Sequence, residues 1–364
     1  MSSAPVVYVH IGAPKTGTTY LQDRLTLNRR RLAREGVQVP TRNMWTPPAM
    51  AHFRAALDLL GQDWGGHPGH AKGWWPPMAR EMRKSSGTVV FSHEILAPAP
   101  PGKIARLMND LEGCEVHVVY SARDLARQLP AAWQESVKQG RGWRFQRFLN
   151  AAEEGNPWFM RAFDLPTVLN NWSRNLPPER VHVVTVPPAG ADPDELWLRF
   201  CRVFGIDPAW APLDSEHTNA SLGIAETELL RRLNRKIDRR TRRSAAHDDL
   251  LRRMLDSGEL GGRASRKVEL PPERYPFTEE QAERWIDWIK GSGVDVVGDV
   301  EDLRPEPVDP DAVWRNPDTV SRKALARAAV DALAVMTREA ASRPDPRKEL
   351  GARLRRRAEH LRDW

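Results

Sequence analysis

The sequence predicts a three-layer α/β fold, a mostly parallel central sheet with helices on both faces. Two observations carry that prediction. Short apolar runs of strand length recur at Val6–Ile11, Thr88–Ser92 (TVVFS), Glu115–Ser121 (EVHVVYS) and Val181–Val186 (VHVVTV), as expected of strands covered on both sides. Helical patterns separate these runs, which implies crossover connections and parallel pairing. The first run also ends in a glycine-bearing loop that opens a helix, and in such sheets ligands bind at the carboxyl ends of the strands.

The elements follow in order. Thr19–Arg34 has Leu21, Leu25, Leu27 and Leu32 among charges and reads as a helix. Residues 41–86 read as irregular, rich in tryptophan, proline and glycine, with one short helical stretch near His52–Leu60. Further helices are expected over Lys103–Leu111, from about Asp124 to Lys138 (with Pro130 obscuring its start), over Trp143–Glu154, Leu165–Asn175 and Asp192–Phe204, across 223–258, and over Thr278–Lys290. Ser321–Ala341 and Arg347–Asp363 read as terminal helices, after a Pro- and acid-rich segment at Glu306–Pro317. Residues 1–306 are therefore read as the α/β domain, with 41–86 a loop-rich, Trp-rich insertion, and 307–364 as a helical C-terminal extension.

Composition bounds the function. The chain has 364 residues, 40% hydrophobic, enough for a sizeable core. A net charge of +7 favours acidic ligands without requiring nucleic acid. The basic stretch Arg231–Arg243 has no interleaved aromatics and no zinc motif beside it, so no nucleic-acid partner is expected. Two cysteines outside any CxxC exclude a disulfide framework or a cysteine zinc site. No membrane span and no leader pattern are seen, which leads to an expected cytoplasmic location.

The chemistry is densest after the first strand, in His10–Tyr20, HIGAPKTGTTY. Gly12 and Gly17 have the spacing of a Walker A loop, GxxxxGK[ST], and Thr19 ends it properly. Thr18, however, stands where that loop has its lysine, and the lysine is at Lys15. Backbone N–H groups around Gly17 still make an anion cradle at a helix start, to which Thr18 and Thr19 add hydroxyls. The displaced lysine suits one phosphate and one leaving bond better than a Mg²⁺-triphosphate, so no metal is implied.

PKTGTTY resembles the 5′-phosphosulfate loop of sulfotransferases that use 3′-phosphoadenosine 5′-phosphosulfate (PAPS), written PK[ST]GTT and an aromatic. The resemblance spans roughly residues 5–205. It extends less specifically to about 305, where DVVGDVEDLRP is similar to a segment of bacterial sulfotransferase-like proteins. It implies a P-loop-related fold, PAPS as donor and 3′,5′-diphosphoadenosine (PAP) as product. It makes Lys15 the catalytic cation and gives the 5′-phosphate to Thr16, Gly17, Thr18 and Thr19, with Tyr20 in the aromatic position near the adenine. The strand TVVFS ends in His93-Glu94, where the family has a histidine or glutamate base. Both are candidates, and the S-x-E pattern favours Glu94. Arg123, just after EVHVVYS, matches the family's 3′-phosphate arginine. Its usual companion, a serine eight residues on, is Ala131 here, leaving Gln128, Arg127 or Ser136 as substitute donors.

The implied acceptor is a hydroxyl or amine on a carbohydrate, lipid or small metabolite; Trp64, Trp74 and Trp75 either wall its pocket or pack their irregular segment onto the core. Asn219 or Ser221 fits either an adenosine contact or a helix cap, and the terminal helices fit either a homodimer contact or a cover over one face. The rival readings are a P-loop kinase or other phosphotransferase, and a sulfotransferase homologue that binds nucleotide but has lost transfer.

Overall fold

The computed structural model describes residues 4–43, 45–156, 158–215, 222–238, 241, 266–309, 311 and 313–342. Within them, strands β1 (Val6–Gly12), β2 (Val37–Gln38), β3 (Thr88–Ser92), β4 (Glu115–Ala122), β5 (Val181–Thr185) and β6 (Asp295–Val297) form one sheet in the order β2-β3-β1-β4-β5-β6. Every pairing is parallel. The expected three-layer α/β architecture is what the chain adopts.

Period-two alternation explains how apolar runs fill both layers. Val7, Val9 and Ile11 of β1, Val89 and Phe91 of β3, and Val116, Val118 and Tyr120 of β4 enter a large buried cluster on one face. Val90, Val119 and Val184 enter a smaller cluster on the other. That smaller layer is built by α1 (Thr18–Arg34), through Leu21, Leu25 and Leu32, and by a helix at Glu195–Phe204, through Trp197, Phe200 and Phe204. The large layer takes α2 (Pro48–Leu60), α3 (Trp75–Lys84), α4 (Pro101–Asp110), α5 (Leu125–Lys138), α6 (Phe145–Glu153), α7 (Trp158–Phe163) and α8 (Leu165–Trp172). In chain order Glu195–Phe204 is α9, followed by α10 (Ile224–Lys236), α11 (Tyr275–Ser292) and α12 (Arg322–Ser342).

Several elements differ from the sequence reading. Residues 41–86 hold two helices, and α3 is the one the pattern concealed, because it opens on Trp75-Pro76-Pro77. Prolines fit the first turn, where no intrahelical N–H bond is lost. Trp74 and Trp75 are buried in the large core, and the Trp75 indole donates to Asp110 at 2.6 Å, so neither is a free pocket wall. Trp64 is 44% exposed and stacks edge-on against Phe53 at 5.2 Å. The edge strand β6 was hidden by its three-residue length between Gly293 and Gly298. Helix α10 ends at Lys236 rather than continuing, and the remainder of the 223–258 expectation, the expected helix over Arg347–Asp363, and Asn219 and Ser221 lie outside the described residues.

The segment after residue 306 is bonded to the rest of the chain. The Asp318 carboxylate accepts from the Phe145 and Gln146 amides at 2.9 and 3.1 Å, satisfying the start of α6. Ala332 and Val335 of α12 join the large core. Arg231 of α10, which opens the basic stretch Arg231–Arg243, is buried, with a two-pronged bond to Glu228 at 2.6 and 2.8 Å.

Candidate active site

β1 is central, with β3 on one side and β4 on the other. The chain leaves β1 toward α1 in the small layer and leaves β4 toward α5 in the large one. Connections that part in this way open a crevice at the strands' carboxyl ends, and the loop Gly12–Gly17 lies there. Gly12 (φ +83°), Lys15 (φ +66°) and Gly17 (φ +90°) are left-handed, and Lys15 is the one non-glycine residue with positive φ among those described. Such backbone gathers successive N–H groups into a concavity that accepts anions. Gly12 is required by close approach as well as by φ: a Cβ there would stand 2.6 Å from the Cβ of Glu94.

A buried polar chain supports the loop from below, and its proton directions follow from counting. Thr16 has one hydroxyl proton, which goes to the Ala13 carbonyl at 2.5 Å. Ser121 must then donate to Thr16 across 2.7 Å. His10 Nε2 is left to donate to Ser121 at 3.0 Å, and Nδ1 to accept from Ser92 at 2.7 Å. His10 is thus a neutral imidazole tying β3, β4 and the loop together, and burial pushes its pKa down to about 3. The Thr16 side chain is spent on holding the loop. Gln128 has the same duty: its amide donates to the Pro14 carbonyl at 2.8 Å.

Thr18 begins α1 and is buried, yet its hydroxyl is without a hydrogen-bond partner. Gly17 gives the helix no side-chain cap, and the first turn contains no acidic residue. The amides of that turn have no intrahelical acceptor and present positive partial charge at the loop. Thr19 is exposed beside them.

Two cations stand at this crevice. Arg123 follows β4 and donates through Nη1 to the Lys15 carbonyl at 3.1 Å, while its buried Nε has no partner. Burial, then the neighbouring Arg127, pull its pKa down to about 10, the condition of a cation short of counter-charge. Lys15 Nζ donates to Glu135 of α5 at 3.0 Å, and Lys15 holds the Glu135 carboxyl below its ordinary range against the opposing effect of burial. Glu135 was not singled out in the sequence. It lies one helical turn after Ala131, on the same face of α5, and 120 residues from its partner. The other substitutes for the missing serine are committed: Arg127 to Asp124 and the Pro187 carbonyl, Ser136 to the Trp133 carbonyl.

No family model matches this chain, and no curated protein matches it. Among solved structures it is similar to a sulfotransferase from Alicyclobacillus acidocaldarius, with 14% identity and a TM-score of 0.39 over 58% of this chain and 85% of that one. A likeness of this size assigns no residue a role, and the roles below rest on the geometry of this chain.

His93 and Glu94 sit at the end of β3, where His93 N–H bonds the His10 carbonyl at 3.0 Å. The two side chains differ in availability. His93 is 9% exposed, stacked on Phe53 at 5.1 Å, and its Nδ1 accepts from the Ile95 amide at 3.3 Å. With that lone pair occupied, a neutral His93 carries its proton on Nε2 and has no nitrogen left to accept another. Burial lowers its pKa in keeping with the neutral form. Glu94 begins a 3₁₀ turn, packs against Gly12, and keeps a side chain 29% exposed.

Tyr20 lies on the far flank of the loop. Its hydroxyl accepts from Arg24 at 2.6 Å, and Arg24 also stacks over Trp197 of α9 at 4.8 Å and pairs with Asp194 at 2.6 Å. The start of α9 closes over this side: a Cβ on Gly17 would meet Leu196 at 2.6 Å. Lys15, Thr18, Glu94 and Arg123 therefore share one edge of the sheet, Thr16 and Gln128 brace it, and His93 is packed beneath it. Among the described residues, no group of three or more His, Cys, Asp or Glu side chains is placed to hold a metal ion.

Proposed function

We propose that this chain is a sulfotransferase that takes its sulfonyl group from PAPS. One observation carries the reading: two partnerless buried polar atoms, Thr18 Oγ1 and Arg123 Nε, flank a left-handed loop at an uncapped helix start. Lone buried donors of this kind are unfavourable unless an anion completes them. The residues present fit such a donor. The loop amides and Thr18 would hold the 5′-phosphate, Arg123 the 3′-phosphate, and Lys15 the oxygen between phosphorus and sulfur. Bound there, PAPS supplies an electrophilic sulfonyl group on a phosphate leaving group.

The chain's own residues divide the remaining work. Glu94 removes the proton of an acceptor hydroxyl or amine, since its carboxylate is partly exposed beside Gly12 while His93 has no free lone pair. A positioned base contributes roughly 10²–10⁴-fold. Lys15 leaves Glu135 and neutralises charge on the departing oxygen. Thr16, Ser121, His10 and Gln128 keep the loop in place without touching the nucleotide. The acceptor belongs to the class of carbohydrates, lipids or small metabolites.

Calorimetry tests the donor assignment. PAP should bind far more tightly than AMP, because only PAP has a 3′-phosphate for Arg123. Equal affinities, or tighter binding of ATP with Mg²⁺ than of PAP, would overturn the reading and favour a phosphotransferase.

A further inference from the structure

At the opposite end of the sheet, four titratable side chains form a hydrogen-bonded row across neighbouring strands. His117 of β4 bonds Glu115 through Nε2 at 2.9 Å and His182 of β5 through Nδ1 at 2.8 Å. His182 bonds Asp295 of β6 through its own Nδ1 at 2.7 Å. The register sets this spacing, since His182 pairs with Val119 on one side and with Asp295 on the other. The groups facing the row are Tyr8 of β1, whose ring lies 4.8 Å from His117 and 5.9 Å from His182, and Arg180, 3.4 Å from Glu115. Phe204 of α9 covers Tyr8 from the helix layer.

The proton count does not depend on the tautomers chosen. Three hydrogen bonds need three protons. Two ionised carboxylates and two neutral imidazoles supply only two, so one of the three bonds goes without its proton. Two imidazolium rings supply four, leaving two N–H groups opposed at the same distance. We infer that Glu115, His117, His182 and Asp295 hold one extra shared proton, that losing it leaves one of the three bonds unmade, and that gaining a second breaks the His117–His182 bond and loosens the β4–β5–β6 edge. The row thereby acts as an acid-side pH latch on the strand that ends in Arg123. Tightly coupled groups titrate in two separated steps that belong to the pair. Whatever the shared proton contributes to the stability of the folded chain is lost as pH rises and that proton leaves. Burial and the proximity of His117 lower the pKa of His182, which opposes the second proton.

Histidine ¹⁵N NMR on the full chain reads this directly. Expected are two coupled imidazoles whose steps lie more than about one pH unit apart. Amide exchange in β5 and β6, corrected for intrinsic pH dependence, should quicken at least about tenfold below the lower step, where a second proton sets N–H against N–H and the His117–His182 bond is lost. Asp295→Asn is the informative variant: its amide N–H can donate to His182, so three bonds form without the extra proton and the upper step should vanish. Two independent titrations near the ordinary value, unchanged exchange, or an upper step that persists in Asp295→Asn would overturn the inference. If that variant does not fold, the titration of the unmodified chain decides alone.

Discussion

Replacing Arg123 with methionine should leave the fold as stable as before, or slightly more stable, while weakening PAP binding. The guanidinium is held in the crevice with its pKa drawn down to about 10. At about 1.4 kcal/mol per pH unit, that drop sets roughly 3 kcal/mol against the charged form. Methionine removes this penalty and keeps most of the volume. It also strips the Lys15 carbonyl of the bond now made at 3.1 Å, which costs about 1–3 kcal/mol if the carbonyl stays dry. The net is between about 0 and 2 kcal/mol of stabilisation, in contrast to the 3–5 kcal/mol typically lost when one partner of a buried ion pair is removed. Charge-assisted bonds to the 3′-phosphate contribute about 1.5–3 kcal/mol, so PAP should bind roughly 10- to 150-fold more weakly and AMP nearly as before. Thermal melts and calorimetry on the same preparations give both numbers. A fall in Tm of more than about 5 °C, roughly 3–4 kcal/mol in a chain of this size, would mean that Arg123 is structural. An unchanged PAP affinity would mean that it does not meet the nucleotide.

The remaining predictions concern other parts of the same edge and its support. Lys15→Ala should abolish transfer without unfolding the chain, since the side chain's hydrogen bond is to Glu135 alone and Ala tolerates the site no worse than Lys does; near-normal turnover would end the proposed mechanism. Glu135→Gln should free Lys15 and tighten PAP binding severalfold by removing a competing anion, and weaker binding would show instead that Glu135 positions the lysine. Glu94→Gln should lower transfer at least about 10²-fold and His93→Ala should chiefly lower stability, so the reverse ranking at one pH would exchange their roles. His10 and His52, held at about 3 and 4 by burial, stay neutral in the folded chain while the unfolded chain protonates them below about 6.5. Their stabilisation is present above that pH and is lost as pH falls, by about 2 kcal/mol each between pH 7 and pH 5. Urea unfolding at those two values should show it, and a His52→Gln variant with an undiminished pH dependence would contradict it.

Much of the site was legible in the sequence because its parts are local. Gly12, Gly17, Lys15 and Thr18 fall within seven residues, and their spacing after an apolar run is enough to raise the expectation of an anion site at a strand end. Glu94 and Arg123 were legible because each directly follows a strand, and parallel strands bring all such ends to one edge. The tryptophans of 41–86 stayed undecided for the opposite reason. Indoles read alike whether they wall a pocket or fill a core, and Trp74 and Trp75 fill the core.

The sequence by itself determined the parallel sheet, the glycine-bearing loop after its first strand and the order in which its companions arrive, since periodicity and short-range spacing specify these. Only the tertiary structure decided which side chains remain free to act. His93 and Gln128 spend their polar atoms on the backbone of Ile95 and Pro14, and Glu135 meets Lys15 across 120 residues. The row from Glu115 to Asp295 exists only because β4, β5 and β6 lie side by side in register. Hydrogen bonds are made over about 3 Å in space, and the chain folds residues that are far apart in sequence to within that distance.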